Sequence, residues 1–291
     1  VESGETTLAD LMPRLGDRLA TALGLESREA RLETRILAAH ALSVERAWLI
    51  AHDRDRLSPA QTQSLEAVMA RRQAGEPVAY IVGGREFFGR LFRVTPDVLI
   101  PRPETELLVE AALERMPADR PARALDLGTG SGAVAITLAL ERPLAEISAV
   151  DDSPAALAIA RDNARRLGAG RIEFIAGHWY EGLGVKKFDI LVSNPPYIPA
   201  GDPHLGAGDL RFEPRQALSS GEDGLDAIRA IVAGAPGHLE SGGWLLLEHG
   251  FDQAGQVAGL LRRGGFAGIA TRSDLAGLAR ITYGRKPPIA N

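Results

Sequence analysis

Apolar residues recur along this chain at two different spacings, and the change of spacing divides it. In residues 1–75, Leu8, Met12, Leu15, Leu19 and Leu23 fall at helical spacing, with Pro13 inside the set as a point that kinks or delays the first helix. A second helix carries Leu32, Ile36 and Ala39 on one face, with Leu37 and Ala41 on the other side. Ser58-Pro59-Ala60-Gln61 reads as a capping box with proline at the first helical position, and it opens a third helix with Leu65, Val68 and Met69 on one face. Residues 76–100 change character. Val78, Tyr80, Ile81 and Val82 precede Gly83-Gly84, while Phe87, Phe88, Leu91, Phe92 and Val94 follow, a pattern that predicts a β-hairpin linker. From Pro121 onward short apolar runs alternate with helical patterns, as a parallel sheet covered by helices on both faces requires. The predicted strands are a short run at Ala124, then Glu146–Val150, Arg171–Ala176, Phe188–Ser193, Trp244–Glu248, a weak Ala267–Thr271 and Arg280–Tyr283, a seven-stranded sheet in residues 101–291.

Composition narrows the picture without supplying the chemistry. The 291 residues suffice for one large α/β domain and a smaller helical one, each with its own core. There is no cysteine, so neither a disulfide framework nor a thiolate site is expected, and the six histidines show no metal-binding spacing. No metal is predicted; His249 beside Glu248 reads as a satisfied structural histidine. No segment has the apolar length of a membrane span and the N-terminus has no signal-peptide pattern, so a cytoplasmic protein is expected. The formal charge of −5 argues against nucleic acid as the main partner, and Arg161, Arg165 and Arg166 read as a solvated helix face.

Two motifs at predicted strand ends carry the chemistry. Asn194-Pro195-Pro196-Tyr197 follows the apolar run Phe188–Ser193, at the carboxyl end of a buried strand, where ligands bind in open α/β sheets. The Asn194 side-chain oxygen and the Pro195 carbonyl form a pair of acceptors with no competing proline N–H, suited to hold both N–H bonds of a planar NH2 group. Tyr197 is then placed to lie on the face of that group. Upstream, Gly128-Thr129-Gly130-Ser131-Gly132 forms a Gly-rich turn between a strand and a helix, a signal that suits a nicotinamide, a flavin or a methyl donor alike. Asp151 ends the next strand, where an acid accepts from ribose hydroxyls, and Ser153 before Pro154 is the better helix cap. An amine clamp has no use in a dehydrogenase, so the two motifs together favour methyl transfer to a planar nitrogen. The long polar segment from Pro199 to Gly224 follows the clamp directly and reads as the wall that admits the acceptor.

These residues, with Trp179, resemble the class I S-adenosylmethionine-dependent methyltransferases that modify protein glutamine, the HemK/PrmC family. The resemblance extends to Leu99-Ile100-Pro101-Arg102-Pro103-Glu104-Thr105-Glu106, Asp202-Pro203-His204-Leu205 and Asp209-Leu210-Arg211-Phe212-Glu213-Pro214, and covers nearly the whole chain. It implies a class I methyltransferase-like sheet, S-adenosyl-L-methionine as cofactor, and a peptide-chain release factor as protein substrate, methylated on the glutamine of its Gly-Gly-Gln loop. Under it, Gly128, Thr129, Gly130, Ser131, Gly132, Asp151, Trp179 and Asn194 bind the cofactor, and Asn194, Pro195, Pro196 and Tyr197 bind and activate the acceptor. The N-terminal helices would then recognise the substrate. His178 stands where the family often has Asp, which removes one expected contact to the adenine amino group. Alternative readings are a nucleic-acid adenine or cytosine amino-methyltransferase, which normally carries a basic groove, and a glutamine methyltransferase of a large-subunit ribosomal protein. A non-catalytic nucleotide-binding module would use only the Gly-rich turn and Asp151.

Overall fold

The computed structural model describes residues 7–288 and divides into two compact units. One comprises Val1–Gly83 together with Gly206–Phe212; the other comprises Gly84–Leu205 and Glu213–Asn291.

The first unit is helical: α1 (Leu8–Leu23), α2 (Ser27–Leu42), α3 (Arg46–Ala51), α4 (Pro59–Gln73) and α5 (Val78–Val82). Thr7 and Asp10 close a capping box at the start of α1, and Pro13 sits inside the helix without delaying it. Ser58 and Gln61 form the expected capping box of α4, with Pro59 at its first position. The buried face of α2 is not the one marked by large side chains. Ala30, Thr34, Leu37, Ala38 and Ala39 are buried while Leu32 is exposed, because the packed side of α2 carries small residues where its backbone approaches α1 near Gly16. A second correction concerns Val78–Val82, expected as the first arm of a hairpin. It is a helical turn whose Ala79, Tyr80 and Ile81 are buried, ending at Gly83 in the left-handed region, φ +72°. A short run that must bury every side chain satisfies its backbone in a helix as well as in a strand.

In the last turn of α4 the buried Arg72 gathers carboxylates. Its Nε and Nη2 fork onto Glu33 at 2.8 and 3.1 Å, and Nη1 donates to Asp209 at 2.8 Å. Arg211 Nη2 donates to the Ala74 carbonyl at 2.8 Å. These bonds attach Gly206–Phe212, from the middle of the long polar segment, to the helical core.

In the second unit a hairpin, β1 (Gly84–Phe87) and β2 (Arg90–Arg93), buries Phe87 and Phe92 in the same core as α6 (Thr105–Leu113). The sheet follows with β3 (Arg123–Leu127), β4 (Glu146–Asp151), β5 (Glu173–Ala176), β6 (Phe188–Ser193), β7 (Leu239–Glu248), β8 (Ala267–Ser273) and β9 (Ala279–Arg285). Its order is β5-β4-β3-β6-β7-β9-β8, with β9 antiparallel to β7 and β8. Two cores lie on opposite faces of this sheet: α6 and α7 (Ala133–Glu141) belong to one, and α9 (Asp226–His238) and α10 (Ala254–Arg263) to the other. The chain runs outward from β3 through β4 to β5 and returns to β6, so the strand order reverses between β3 and β6. Side chains at the carboxyl ends of those strands face a crevice that no crossover covers. No helix among the described residues is long and apolar enough to cross a membrane.

Candidate active site

A cavity of about 400 Å³ opens at the strand-order reversal. Gly128 and Gly130 after β3, Asp151 at the end of β4, and Asn194 and Pro196 after β6 all line it, and so do His178 and Trp179. The part of the long segment that returns to this unit completes the wall with Pro214, Gln216, Ala217, Ser219 and Ser220.

The Gly-rich turn is held mainly by its own neighbourhood. Gly128 takes φ +73°, open to glycine at no cost, and its backbone lies close beneath Trp179, whose ring carbon Cζ3 would be 3.6 Å from a Cβ there. Gly132 has a different task. A Cβ at this position would sit 2.8 Å from Ile136 and 3.2 Å from Ala160, so the absent side chain lets α7 start tightly against α8 (Pro154–Leu167). Thr129, Ser131 and Gly132 do not line the cavity. The Thr129 hydroxyl donates to Asp126 Oδ2 at 2.7 Å, and the Ser131 carbonyl accepts from the buried Asn163 amide at 2.9 Å. Asn163 also exchanges hydrogen bonds with both backbone groups of Arg93, tying the turn to β2.

Asp126 and Asn163 are working residues that motif reading passed over. A carboxylate inside an apolar strand run was the available signal for the first. Asp126 accepts from Thr129 and from the Ala135 N–H, and burial pushes its carboxyl up to about 7. Asp151 is gripped by backbone: Oδ2 accepts from Gly130 N–H at 2.8 Å and Oδ1 from Ser153 N–H at 2.9 Å. Burial raises its proton affinity and these two bonds oppose the rise. Ser153 caps α8 through Ala156 N–H, as its place before Pro154 implied. Trp179 adopts φ +51°, a left-handed conformation uncommon for a bulky residue and the kind of strain that collects at binding sites. His178 is exposed, with Nδ1 3.5 Å from Asp152 Oδ2.

The tetrapeptide after β6 is held by side chains from elsewhere. Asn194 Nδ2 donates to Thr105 Oγ1 at 3.0 Å, at the first turn of α6. The Tyr197 hydroxyl lies 3.4 Å from Glu248 Oε1 at the end of β7, and the Tyr197 carbonyl accepts from Gln253 Nε2 at 2.9 Å. Burial pushes the Tyr197 hydroxyl well above its ordinary range. Pro195 is buried, and neither Pro195 nor Tyr197 lines the cavity. Glu248 is fully buried; burial pushes its carboxyl up to about 7 against the Thr105 and Tyr197 hydroxyls, which favour the ionised form. His249 beside it is structural: Nδ1 bonds the Gly250 carbonyl, Nε2 the Thr282 hydroxyl, each at 2.8 Å, and burial lowers the ring's proton affinity. Glu213 joins two distant motifs, accepting from Ile100 N–H at 3.0 Å and pairing with Arg102. Among the described residues no cluster of His, Asp and Glu could hold a metal ion.

A Gly-rich turn, an acidic strand end and an Asn-Pro-Pro-Tyr strand end around one crevice are the features of an α/β methyltransferase. Residues 104–208 match the model of the methyltransferase small domain, and residues 17–83 that of the PrmC N-terminal domain. A methyltransferase of Pyrococcus furiosus superposes with a TM-score of 0.53 at 17% identity, over 76% of this chain and 99% of that one. A T. thermophilus 16S rRNA methyltransferase in complex with AdoMet and guanosine also gives 0.53, at 24% identity, over 70% of this chain and 49% of its own. These likenesses concern the fold. Sequence relatives are much nearer: the release factor glutamine methyltransferase of Bordetella pertussis is 54% identical over 87% of this chain and 94% of its own length. That of Neisseria gonorrhoeae is 51% identical over 90% and 96%. The chain belongs to the release factor glutamine methyltransferase family.

Proposed function

We propose that this chain transfers a methyl group from S-adenosyl-L-methionine to the side-chain amide nitrogen of the Gly-Gly-Gln glutamine of a peptide-chain release factor, in the cytoplasm. The observation that carries this reading is the pairing of Asp151 and Asn194 on one cavity, with the Asn194 nitrogen committed to Thr105 and its oxygen left to accept from a substrate.

The residues present fit the methyl donor. Asp151 offers carboxylate lone pairs to ribose hydroxyls, the Gly128–Gly130 backbone allows close approach, and Trp179 presents an apolar face to adenine. Thr129, Ser131 and Gly132 serve the donor indirectly, by shaping that turn. When bound, the donor supplies an electrophilic methyl group on a sulfonium.

An amide nitrogen delocalises its lone pair into its own carbonyl and is a poor nucleophile. The Asn194 oxygen, on the cavity, accepts one of its N–H bonds, and the Pro195 carbonyl, which does not line the cavity, accepts the other once the strand end turns toward the incoming amide; together they turn the lone pair toward the methyl group and favour a tetrahedral nitrogen. Pro195 and Pro196 hold this backbone pre-set, and Tyr197, which does not line the cavity, supports the strand end from behind through Glu248 and Gln253. Orientation of this kind contributes roughly 7–11 kcal/mol when reacting atoms are held near contact. The alkylated nitrogen is acidic and releases its proton to water or to a clamp carbonyl, so no strong base is required. A glutamate would set carboxylate oxygens against two acceptors and leave buried groups unpaired, which favours glutamine. The helical unit is assigned to substrate recognition.

The test is incubation of the purified protein with S-adenosylmethionine and, separately, a release factor, a ribosomal protein fraction and DNA, with methyl groups mapped by mass spectrometry. A methyl on the Gly-Gly-Gln glutamine is expected. A methyl found only on DNA would keep the clamp and overturn the acceptor.

A further inference from the structure

The cavity wall from Glu213 to Ser220 is fastened at both ends, by different means. At its far end it pairs through backbone with Ile198, just beyond the clamp: Ile198 N–H donates to the Leu218 carbonyl at 2.9 Å, and the Ile198 carbonyl accepts from Ser220 N–H at 3.0 Å. At its near end the fastening is one side chain. The Glu213 carboxyl is fully buried and uses both oxygens, Oε2 accepting from Ile100 N–H at 3.0 Å and Oε1 pairing with Arg102. A buried ion pair seldom stabilises a fold more than an apolar side chain of the same volume would, so stability alone explains this acid poorly.

The segment that Glu213 grips is the one that holds Asn194. Three residues beyond Arg102, the Thr105 hydroxyl accepts from the Asn194 amide at 3.0 Å. The chain therefore closes a ring: from Asn194 to Ile198, across the backbone pair to Ser220, back along the wall to Glu213, across its carboxyl to Ile100 and Arg102, and on through Thr105 to Asn194. This ring borders the cavity, which Leu99, Pro196, Pro214 and Ala217 all line. Leu99 directly precedes Ile100 and Pro214 directly follows Glu213, so the carboxyl joins two lining stretches that lie far apart in sequence. Pro101, Pro103 and Pro214 restrict the backbone on both sides of that joint.

We propose that Glu213 is a positioning residue for the acceptor: by closing this ring it fixes the wall against which the substrate amide is seated beside Asn194. This role rests on the clamp reading of Asn194, on which the methyl donor is held instead by Asp151 and the Gly-rich turn. Opening the ring at Glu213 leaves those donor contacts in place and frees the near end of the wall.

The experiment is steady-state kinetics of the full chain with a release factor at saturating donor, alongside calorimetric binding of S-adenosylmethionine, for wild type, Glu213→Ala, Glu213→Gln, Arg102→Ala, the Gln/Ala double variant and Asn194→Ala. Glu213→Ala, which removes both bonds, should lower kcat/KM for the release factor about ten-fold while the donor dissociation constant stays within about two-fold of wild type. Glu213→Gln still accepts from Ile100 N–H and should recover part of that loss. The Gln/Ala double variant should be no slower than the worse of its two single variants, because both act at one joint. Wild-type kcat/KM in Glu213→Ala, losses that multiply in the double variant, or a donor affinity that falls as far as kcat/KM, as a merely structural carboxyl would give, would overturn the role of Glu213. Where Glu213→Ala binds no donor, Glu213→Gln decides on the same two measurements. If Asn194→Ala keeps wild-type turnover, the clamp fails and this role fails with it; if Asn194→Ala is slow while both Glu213 variants match wild type, the clamp stands and Glu213 alone is dismissed.

Discussion

Asp151 and Asn194 stand on the same cavity at the ends of strands on either side of β3, yet they are held by opposite means. Asp151 is fixed by two backbone N–H groups, from Gly130 and Ser153, one of them two residues away. Asn194 and Tyr197 are fixed by side chains 89 and 51 residues away in sequence, on α6 and β7. On the proposed reading the carboxylate of the donor side is held directly by backbone N–H groups, whereas the acceptor side depends on a few distant polar side chains. Ground-state binding of the donor and orientation of the acceptor should accordingly separate under mutation.

The largest effect is expected at the acceptor side. Asn194→Ala should lower turnover about a hundred-fold or more, the scale of removing one transition-state hydrogen-bonding group, with donor affinity nearly unchanged. Unchanged turnover in a methyl-transfer assay would remove the clamp, and a matching loss of donor affinity would erase the distinction between the two sides. Asp151→Ala should weaken S-adenosylmethionine binding about ten-fold or more, the scale of a lost charge-assisted hydrogen bond. An unaltered dissociation constant in calorimetry would count against the ribose assignment.

Smaller effects sharpen how the turn is supported. Thr129→Val leaves the buried Asp126 with one partner fewer and should cost about 1 kcal/mol of stability in a denaturant titration, with turnover at saturating donor largely kept. A larger fall in turnover than in stability would place Thr129 in the chemistry instead.

A pH titration of stability probes the acceptor side. The Glu248 carboxyl, facing Glu104, Arg280, Tyr197 and Thr105, is raised from the ordinary 4.5 to about 7. Between those values the folded chain keeps a proton that the unfolded chain releases, so stability is highest below the window and is lost as pH rises through it. The slope from this one group is of the order of 1 kcal/mol per pH unit, and Glu248→Gln should remove that share while the similarly raised Asp126 keeps its own. An identical slope in the variant would mean that Glu248 is ionised throughout.

The strands of the sheet were legible because each is a short apolar run between turn residues, and burial on both faces leaves little else for Phe188–Ser193 or Glu146–Asp151 to be. Helix starts were legible where a cap stands beside proline, at Ser58 and at Ser153. The buried face of α2 was not, since alanine and threonine carry little hydrophobic signal and are buried for closeness of packing rather than for apolar area. Val78–Val82 was misread as a strand for a related reason: five apolar residues have no period that separates helix from strand.

The sequence by itself determined what local chemistry can determine. Glycines at positive φ, an acid at a strand end and two prolines after an asparagine restrict their own backbone, so the Gly-rich turn and the strand ends at Asp151 and Asn194 were readable from residues a few positions apart. Tertiary structure alone decided which distant groups complete them: Thr105 and Glu248 behind Asn194 and Tyr197, Asn163 behind Ser131, and Glu213 across Ile100 and Arg102. Hydrogen bonds between side chains far apart in sequence leave no period or spacing to read, because their geometry exists only after the sheet has brought its strand ends together.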